Sequence, residues 1–356
     1  MPTSPPNPLD EMRSKVNSIQ SDLDSLQKKV RLTDQRDAYE DLESKTSSLG
    51  QRINDLRTGG YVFEKSLEAK AADLLKRWQS IRGQVQLQID QQSAVLQAAL
   101  PPVETSVNQL AANINNLLYL KGRYAQVEAQ VKTLESRATA VGNSISGMYD
   151  SVENELSVLT RHLDEITEML KYLASACFQL LPTEAGVMTV KAVWIKEGTE
   201  DKSDPDGRLY LTDQRLIFEQ KEEVATKKVL FITTERKTIQ KLLFEVPVEL
   251  VEEVIPSKQG VFKNEDNLDI KLGKGAFTNA VKLHIWQDGK LWAGLIRKVK
   301  EGEFQKDRAI EISPEVLEKM KKAPTQCPKC GGALNKPLLR GQDSITCEFC
   351  GAKIRI

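Results

Sequence analysis

Gly207-Arg-Leu-Tyr-Leu-Thr-Asp-Gln-Arg-Leu-Ile-Phe218 decides how the middle of this chain folds. Leu209 and Leu211 alternate, as in a strand with one buried face. Thr212-Asp213-Gln214 then turns the chain, because an Asp side chain bonds its own backbone two residues on. Leu216-Ile217-Phe218 returns as a second strand. Upstream, Ser203-Asp204-Pro205-Asp206-Gly207 is another turn, and residues 187–195 read as a strand. Downstream, strands are predicted at 229–233, 242–246, 261–263, 268–272 and 281–286, and Asp288-Gly289 closes the last of them. A helix follows with Leu291, Trp292, Leu295, Ile296 and Val299 on one face. Short antiparallel strands capped by one C-terminal helix make a small β-barrel or sandwich.

The Gly207–Phe218 stretch resembles the signature of the GRAM domain, a member of the pleckstrin-homology-like superfold. Phe244-Glu-Val-Pro-Val-Glu-Leu-Val-Glu-Glu-Val254 is similar to a later segment of that family, with a proline shortly before Leu250-Val251. The helix with Trp292 fits as well. The resemblance covers about residues 184–305, and 233–240 departs from it as an insertion or longer loop. It implies a module that binds a lipid headgroup or a protein segment, without specifying the ligand. The basic residues placed to touch an anionic membrane or a partner are Lys227 and Lys228 on one loop and Arg297, Lys298 and Lys300 on the helix. Glu219, Glu222, Glu223, Glu252 and Glu253 dilute that charge, so an ordinary solvated face competes with this reading.

Towards the N-terminus the period changes. From Leu9 to about Leu181 apolar residues recur at steps of three and four. Met12, Val16, Ile19, Leu23, Leu26 and Val30 form the first run, which resumes in a shifted register at Tyr39 and Leu42. Thr58-Gly59-Gly60 stops it. A second run passes through Leu67, Leu74, Trp78 and Val85 to a predicted break at Pro101-Pro102. The third starts at Val103 and continues to Cys177, nearly eighty residues, about 115 Å of helix. A spacing near 3.5 sustained over this length predicts a coiled coil or an elongated helical bundle spanning 9–181. Such helices self-associate into a homo-oligomer, space partners apart, or pack within one chain. Cys177, on the apolar stripe, reads as a buried small residue.

Past the β domain, Ser313 as N-cap and Pro314 at the first helical position begin a helical linker over 313–323. The tail, 324–356, holds four of the five cysteines, as Cys327-Pro-Lys-Cys330 and Cys347-Glu-Phe-Cys350 with sixteen residues between the pairs. Each C-x-x-C aims two sulfurs at one ion, and two such turns complete a tetrahedron. Gly331 and Gly351 follow the pairs, and 333–334 and 344–346 can form short strands. Four thiolates with no nearby His describe a closed, structural zinc site of the zinc-ribbon kind. Lys329, Lys336, Arg340, Lys353 and Arg355 against Asp343 and Glu348 leave this tail at plus three, the basis of an alternative reading in which it contacts nucleic acid.

The whole chain gives no such bias. Fifty basic and fifty acidic residues cancel, so attraction to nucleic acid or anionic lipid has to come from local patches. The start, MPTSPPNPLDEM, lacks the basic and apolar regions of a signal peptide, and no run approaches eighteen apolar residues. These features lead us to expect a cytoplasmic protein, peripheral at the inner membrane face if it meets one, with reduced thiols. His162 and His284, the two histidines, have no Ser or Cys at a recognisable spacing, and Gly273-Lys274-Gly275 lacks the spacing of a phosphate loop. The expectation is therefore a non-enzymatic adaptor or scaffold.

Overall fold

Met12, Val16, Ile19, Leu23, Leu26 and Val30 are buried along one side of α1 (Pro8–Val30), and this stripe sets the architecture of the N-terminal half. The computed structural model describes residues 7–229, 232–260, 264–334 and 336–356, the side chains of 224–237 excepted. The chain divides into two units, Met1–Gln51 with Glu68–Thr160, and Arg52–Leu67 with Arg161–Ile356.

The first unit is a bundle of three helical runs. α1 and most of α2 (Thr33–Thr58) form the first, α3 (Leu67–Ala112) the second, α4 (Leu117–Ser146) and the start of α5 (Asp150–Ala174) the third; the ends of α2 and α5 belong to the second unit. Cross-links give the directions. Gln27 bonds Glu104, Arg36 pairs with Asp90 and Arg82 with Glu43, so α1–α2 runs antiparallel to α3. Arg13 bonds Asn115 and Lys29 pairs with Glu135, so α4 runs parallel to α1. Between them Ala71, Leu74, Trp78, Val85, Ile89, Leu96, Val103, Val107 and Leu110 of α3 are buried, at steps of three, four and seven. Trp78 donates its indole N–H to Glu43 at 2.7 Å and packs on the Tyr39 ring at 5.2 Å.

The helix boundaries differ from the sequence reading. α3 runs straight through Pro101-Pro102. Two internal prolines each forfeit a helical N–H bond, but both are exposed, so the orphaned carbonyls can face water. Leu96 and Val103 stay in phase across them, two turns apart and buried. The chain breaks instead at 113–116, where Asn116 caps α4 by accepting the Tyr119 amide. A second break at 147–149 separates α4 from α5, so the third run is not one continuous rod. The register shift near residue 31 is also local: Leu32 is buried with φ 53°, a conformation that L residues adopt at a cost of about 1–2 kcal/mol.

The second unit begins with the end of α2. Arg57 donates to the carbonyls of Tyr61, Phe63 and Glu64, which fixes the turn that Gly59-Gly60 opens. Phe63 is fully buried against Phe304 at 5.3 Å. α5 ends at Ala174, so Cys177 lies beyond the helix and is exposed, contrary to expectation.

Seven strands then form one antiparallel sheet: β1 (Gly186–Ile195), β2 (Asp206–Thr212), β3 (Arg215–Val229), β4 (Ile232–Pro247), β5 (Val251–Gln259), β6 (Glu265–Leu272) and β7 (Ala280–Ile285), in the order β4-β3-β2-β1-β7-β6-β5. The turn at Thr212 pairs Leu211 with Leu216 and Tyr210 with Ile217, as the opening stretch requires. Gly207 is needed in it: a Cβ there would lie 2.0 Å from the Glu219 carbonyl oxygen across the β2–β3 pair. Residues 233–240, read as a loop or insertion, are part of β4. The strand expected at 229–233 instead spans the β3–β4 junction, where 230 and 231 lie outside the described residues, as does the strand expected at 261–263.

A 3-10 turn (Val248–Leu250) leads into β5, and α6 (Gly289–Lys300) packs on β5 and β6. Asp288 caps α6 by accepting the amides of Lys290 and Leu291. Trp292, Ile296 and Val299 are its buried face, each worth about 1.5–3 kcal/mol by area. α7 (Glu303–Lys306) and α8 (Pro314–Lys322) follow, the latter capped by Ser313. The tail ends in a two-stranded ribbon of β8 (Ser344–Thr346) and β9 (Lys353–Arg355); Ala333 makes an isolated bridge to Gln326 and is not in a strand.

Candidate metal centre and docking surfaces

The two cysteine turns have matching backbones. Gly331 N–H bonds the Cys327 carbonyl at 2.8 Å, and Gly351 N–H bonds the Cys347 carbonyl at 2.9 Å. Gly331 and Gly351 take φ values of 69° and 70°, in the left-handed region that glycine enters without penalty. The result brings the four sulfurs of Cys327, Cys330, Cys347 and Cys350 within 4.8 Å of one another. Sγ of Cys327 is 3.7 Å from that of Cys350, and Sγ of Cys330 is 3.6 Å from that of Cys347. A tetrahedron with metal–sulfur bonds of about 2.3 Å has edges of about 3.8 Å. The donor set and its spacing therefore fit one soft divalent ion. Burial opposes ionisation of the Cys327 thiol, but the amides of Cys330 and Lys329 and the neighbouring thiols outweigh it and bring it to about 7. The Gly332 amide favours ionisation of Cys330, but hydrogen bonds to the other three sulfurs together with burial outweigh it and push the thiol up to about 12. Four protein ligands fill a tetrahedron and leave no position for substrate.

The tail is tied to the β domain. Arg340 donates its amide to the Leu180 carbonyl at 2.8 Å and its guanidinium to the Glu184 carbonyl. Lys336 pairs with Glu348 at 2.6 Å. Two of the five basic residues counted for a nucleic-acid contact are thus engaged within the chain.

The β domain spends its buried ionisable groups on its own fold. Arg215 forks onto the fully buried Glu184 and also pairs with Glu245. Thr212 donates to the same Glu184. Asp213 receives Arg308 at 2.9 Å and the Ala185 amide at 2.7 Å. Burial pushes the Asp213 carboxyl up despite those partners. Glu219, buried, accepts from the Cys177 amide, Tyr210 and Gln240 at 2.6, 2.9 and 2.8 Å. Burial pushes Glu219 up, and these hydrogen bonds more than reverse it, leaving the carboxyl below its ordinary value. The sequence reading gave none of these groups a buried role: it counted Glu219 among the acids of a solvated face, whereas Glu219 is fully buried, and it quoted the Thr212-Asp213-Gln214-Arg215 turn for its backbone, though the turn supplies three of them.

The Cys177 thiol is pushed up to about 11, first by desolvation and then by Glu219, which keeps it protonated and unreactive at neutral pH. Both histidines are held by carboxylates: His162 is 2.7 Å from Glu64, and His284 is 2.6 Å from Glu200 and stacked on Trp286 at 4.1 Å.

The basic residues expected on a docking surface do not form one group. Arg297, Lys298 and Lys300 occupy the last turn of α6, where cations also complement the helix dipole. Lys300 donates to the Val251 carbonyl, so it serves the fold. Lys227 and Lys228 belong to β3, at the other end of the strand order, and their side chains are outside the described residues. Arg297 borders a groove of about 650 Å³ between β5 and α6, with Val254, Pro256, Ala293 and Gly294 among its walls. Among the described residues, no helix is long and apolar enough to cross a membrane.

No protein-family model and no curated protein matches this sequence. Among solved structures, it is similar to the DH/PH domains of PDZ-RhoGEF in a complex with GTP-γ-S-activated RhoA, at 11% identity, over 84% of this chain and 96% of that one, with a TM-score of 0.27. The DH/PH fragment of PDZRHOGEF in complex with human RhoA gives 11% identity, 84% and 96% coverage, and a TM-score of 0.26. The DH/PH domains of p115-RhoGEF give 11%, 84% and 95%, and 0.22. At these values no residue of this chain takes a role from those proteins.

Proposed function

We propose that this chain is a non-enzymatic adaptor. Its helical bundle (9–181) spaces partners or self-associates, its GRAM-like β domain (184–305) docks a membrane surface or a protein segment, and its tail (324–356) is a zinc ribbon that adds a second contact. The observation that carries this reading is how the β domain uses its polar interior. Glu184, Asp213, Arg215 and Glu219 are consumed in buried networks that hold the turn at Thr212 and the segment after α5. Catalytic groups converge on a cleft with perturbed acidity; these groups converge on backbone and on each other. The tail supports the same reading, since Zn²⁺ held by Cys327, Cys330, Cys347 and Cys350 would stabilise a small fold without a reactive position.

Docking, not turnover, is then the property to measure. Whole chain is mixed with vesicles of phosphatidylcholine and phosphatidylserine at low salt, and in parallel is used to capture proteins from cytosolic and membrane extracts. Retention of a saturable partner in either arm supports the adaptor; its absence from both defeats it. A protein cut after residue 323 tests the tail, because two weak contacts on one chain raise avidity well beyond either.

A further inference from the structure

α3 changes character at Gly83. From Gly83 to Ala112 it holds two charged residues in thirty, Asp90 and Glu104, against eight in the twenty-three of α1 and six in the thirty of α4. Both are bonded across to the first helical run: Asp90 pairs with Arg36 at 2.9 Å, and Glu104 accepts from Gln27 at 2.8 Å. The face opposite the buried residues of α3 carries none. Gln84, Leu87, Gln91, Ala94, Ala98 and Pro101 are all exposed there, Leu87 to 52%, and they recur at steps of three and four, the spacing of a coiled-coil seam. Val95, 45% exposed, lies beside them. A helix face left to water ordinarily carries charge; depletion of charge is the composition of an interface centre.

The order of side chains along this seam is complementary to itself. In an antiparallel pair with a two-fold axis between residues 92 and 93, Leu87 faces the partner's Ala98, Gln91 the partner's Ala94 and Gln84 the partner's Pro101. Each layer sets a longer side chain against a shorter one, and the axis repeats every layer, as a two-fold interface requires. The polar groups also find partners. The two Gln91 amides lie on either side of the axis, where one can donate to the other, as a polar residue on a seam does when it sets register. Gln84 falls opposite the turn in which Pro101 and Pro102 leave the carbonyls of Gln97 and Ala98 without a helical donor, and its amide can supply one.

We propose that α3 is a dimerisation helix: two copies of this chain join antiparallel through the uncharged seam from Gln84 to Pro101. The proposal rests on the self-association named in the adaptor reading above and assigns it a surface. An anionic membrane or a nucleic acid would need cations, and this seam has none. A second copy brings a seam of the same pitch, the same lack of charge and the matching order of long and short side chains. About 25 Å of seam, one helix wide, is smaller than the interface of a permanent dimer, so the dimer forms and parts with concentration.

Sedimentation velocity of the whole chain over a concentration series tests this. The wild type should pass from monomer to dimer as concentration rises. Leu87→Lys and Ala98→Glu each set a charge against an uncharged neighbour and should raise the dissociation constant about tenfold or more. The two changes together place Lys opposite Glu in both copies of that layer and should recover dimerisation, less so at high salt. Both positions are exposed, so far-UV circular dichroism and melting of the monomer should match the wild type. A wild type that stays monomeric at every concentration overturns the proposal and leaves the docking half of the adaptor reading intact. Single variants that dimerise as the wild type does overturn it as well, and move self-association to another surface. A double variant no better than the two singles overturns the antiparallel pairing on which the proposal is built.

Discussion

Arg215 and Glu184 form a two-point ion pair, with Nη2 2.6 Å from Oε2 and Nε 3.0 Å from Oε1, and Glu184 is completely buried. The pair joins the turn that opens β3 to the segment that leads into β1, and Thr212 completes it by donating to Glu184. Neither charge reaches solvent freely, so each depends on the other.

Removing one partner should therefore be much worse than removing both. Arg215→Met strands the Glu184 carboxylate in the interior and should cost about 3–5 kcal/mol. Arg215→Met with Glu184→Leu should recover a substantial part of that loss. Urea unfolding followed by near-UV circular dichroism reads both. Equal destabilisation of the single and double variants would show that the charge itself is not the source of the cost.

Glu219 ties the segment after α5 to the sheet and gives that tie a pH dependence. Its carboxyl lies below the ordinary glutamate value of 4.5, with burial raising it and bonds from Gln240, Cys177 and Tyr210 lowering it further. A depressed carboxyl stabilises the fold above the unfolded value and loses that stabilisation as pH falls through the folded one. Stability of the wild type should therefore drop as pH falls below about 4.5, and Glu219→Gln should be less stable at neutral pH with a flatter acid limb. Urea midpoints at a series of pH values test this. Tyr210, pushed up first by burial and then by Glu219, should stay protonated through alkaline titration until the domain unfolds.

Pro101 and Pro102 sit inside α3 with no structural need for proline. Both are exposed, and the buried residues on either side, Leu96 and Val103, keep their phase. Pro101→Ala should stabilise the first unit, by up to about 3 kcal/mol, the interior penalty of proline. A rise in melting temperature checks it.

Trp78 is the largest buried side chain of the bundle, held to Glu43 through its indole nitrogen. Trp78→Ala should cost about 3–5 kcal/mol. Trp78→Phe should cost less, because it keeps the packing against Tyr39 and loses the bond to Glu43. Thermal melts of the two variants rank them.

The four cysteines should bind one Zn²⁺ per chain. Elemental analysis of protein purified without added metal should give one zinc, and Cys347→Ser should lower that content and loosen the tail without changing the melting of the helical bundle. Cobalt substitution should give the absorption of a tetrahedral thiolate site. Full occupancy of zinc in Cys347→Ser would show that the metal lies elsewhere.

Much of this architecture is written locally and could be read directly. The period of three and four from Met12 to Val30 marks the bundle, the Thr212-Asp213-Gln214 turn marks the β2–β3 hairpin, and two C-x-x-C pairs mark the tail. What escaped is non-local. The proline rule at 101–102 lost to a buried stripe that local reading does not weigh, and the true break at Asn113-Ile114-Asn115-Asn116 carries only the signal of an Asn cap. Residues 233–240 lack clear alternation, and there β4, the edge strand, pairs with a stretch of β3 that extends past its pairing with β2. Glu184 lies 31 residues from Arg215 and Glu219 lies 42 from Cys177, and only folding brings each pair together.

Docking without turnover is the property that defines an adaptor. The direct measurement is binding of purified whole chain to phosphatidylserine-containing vesicles and to proteins of cytosolic and membrane extracts, beside the same protein cut after residue 323. An adaptor should show saturable retention by at least one of these surfaces, with weaker retention of the shortened protein. A whole chain that stays unbound in every arm, while folded and zinc-loaded, would contradict the adaptor reading.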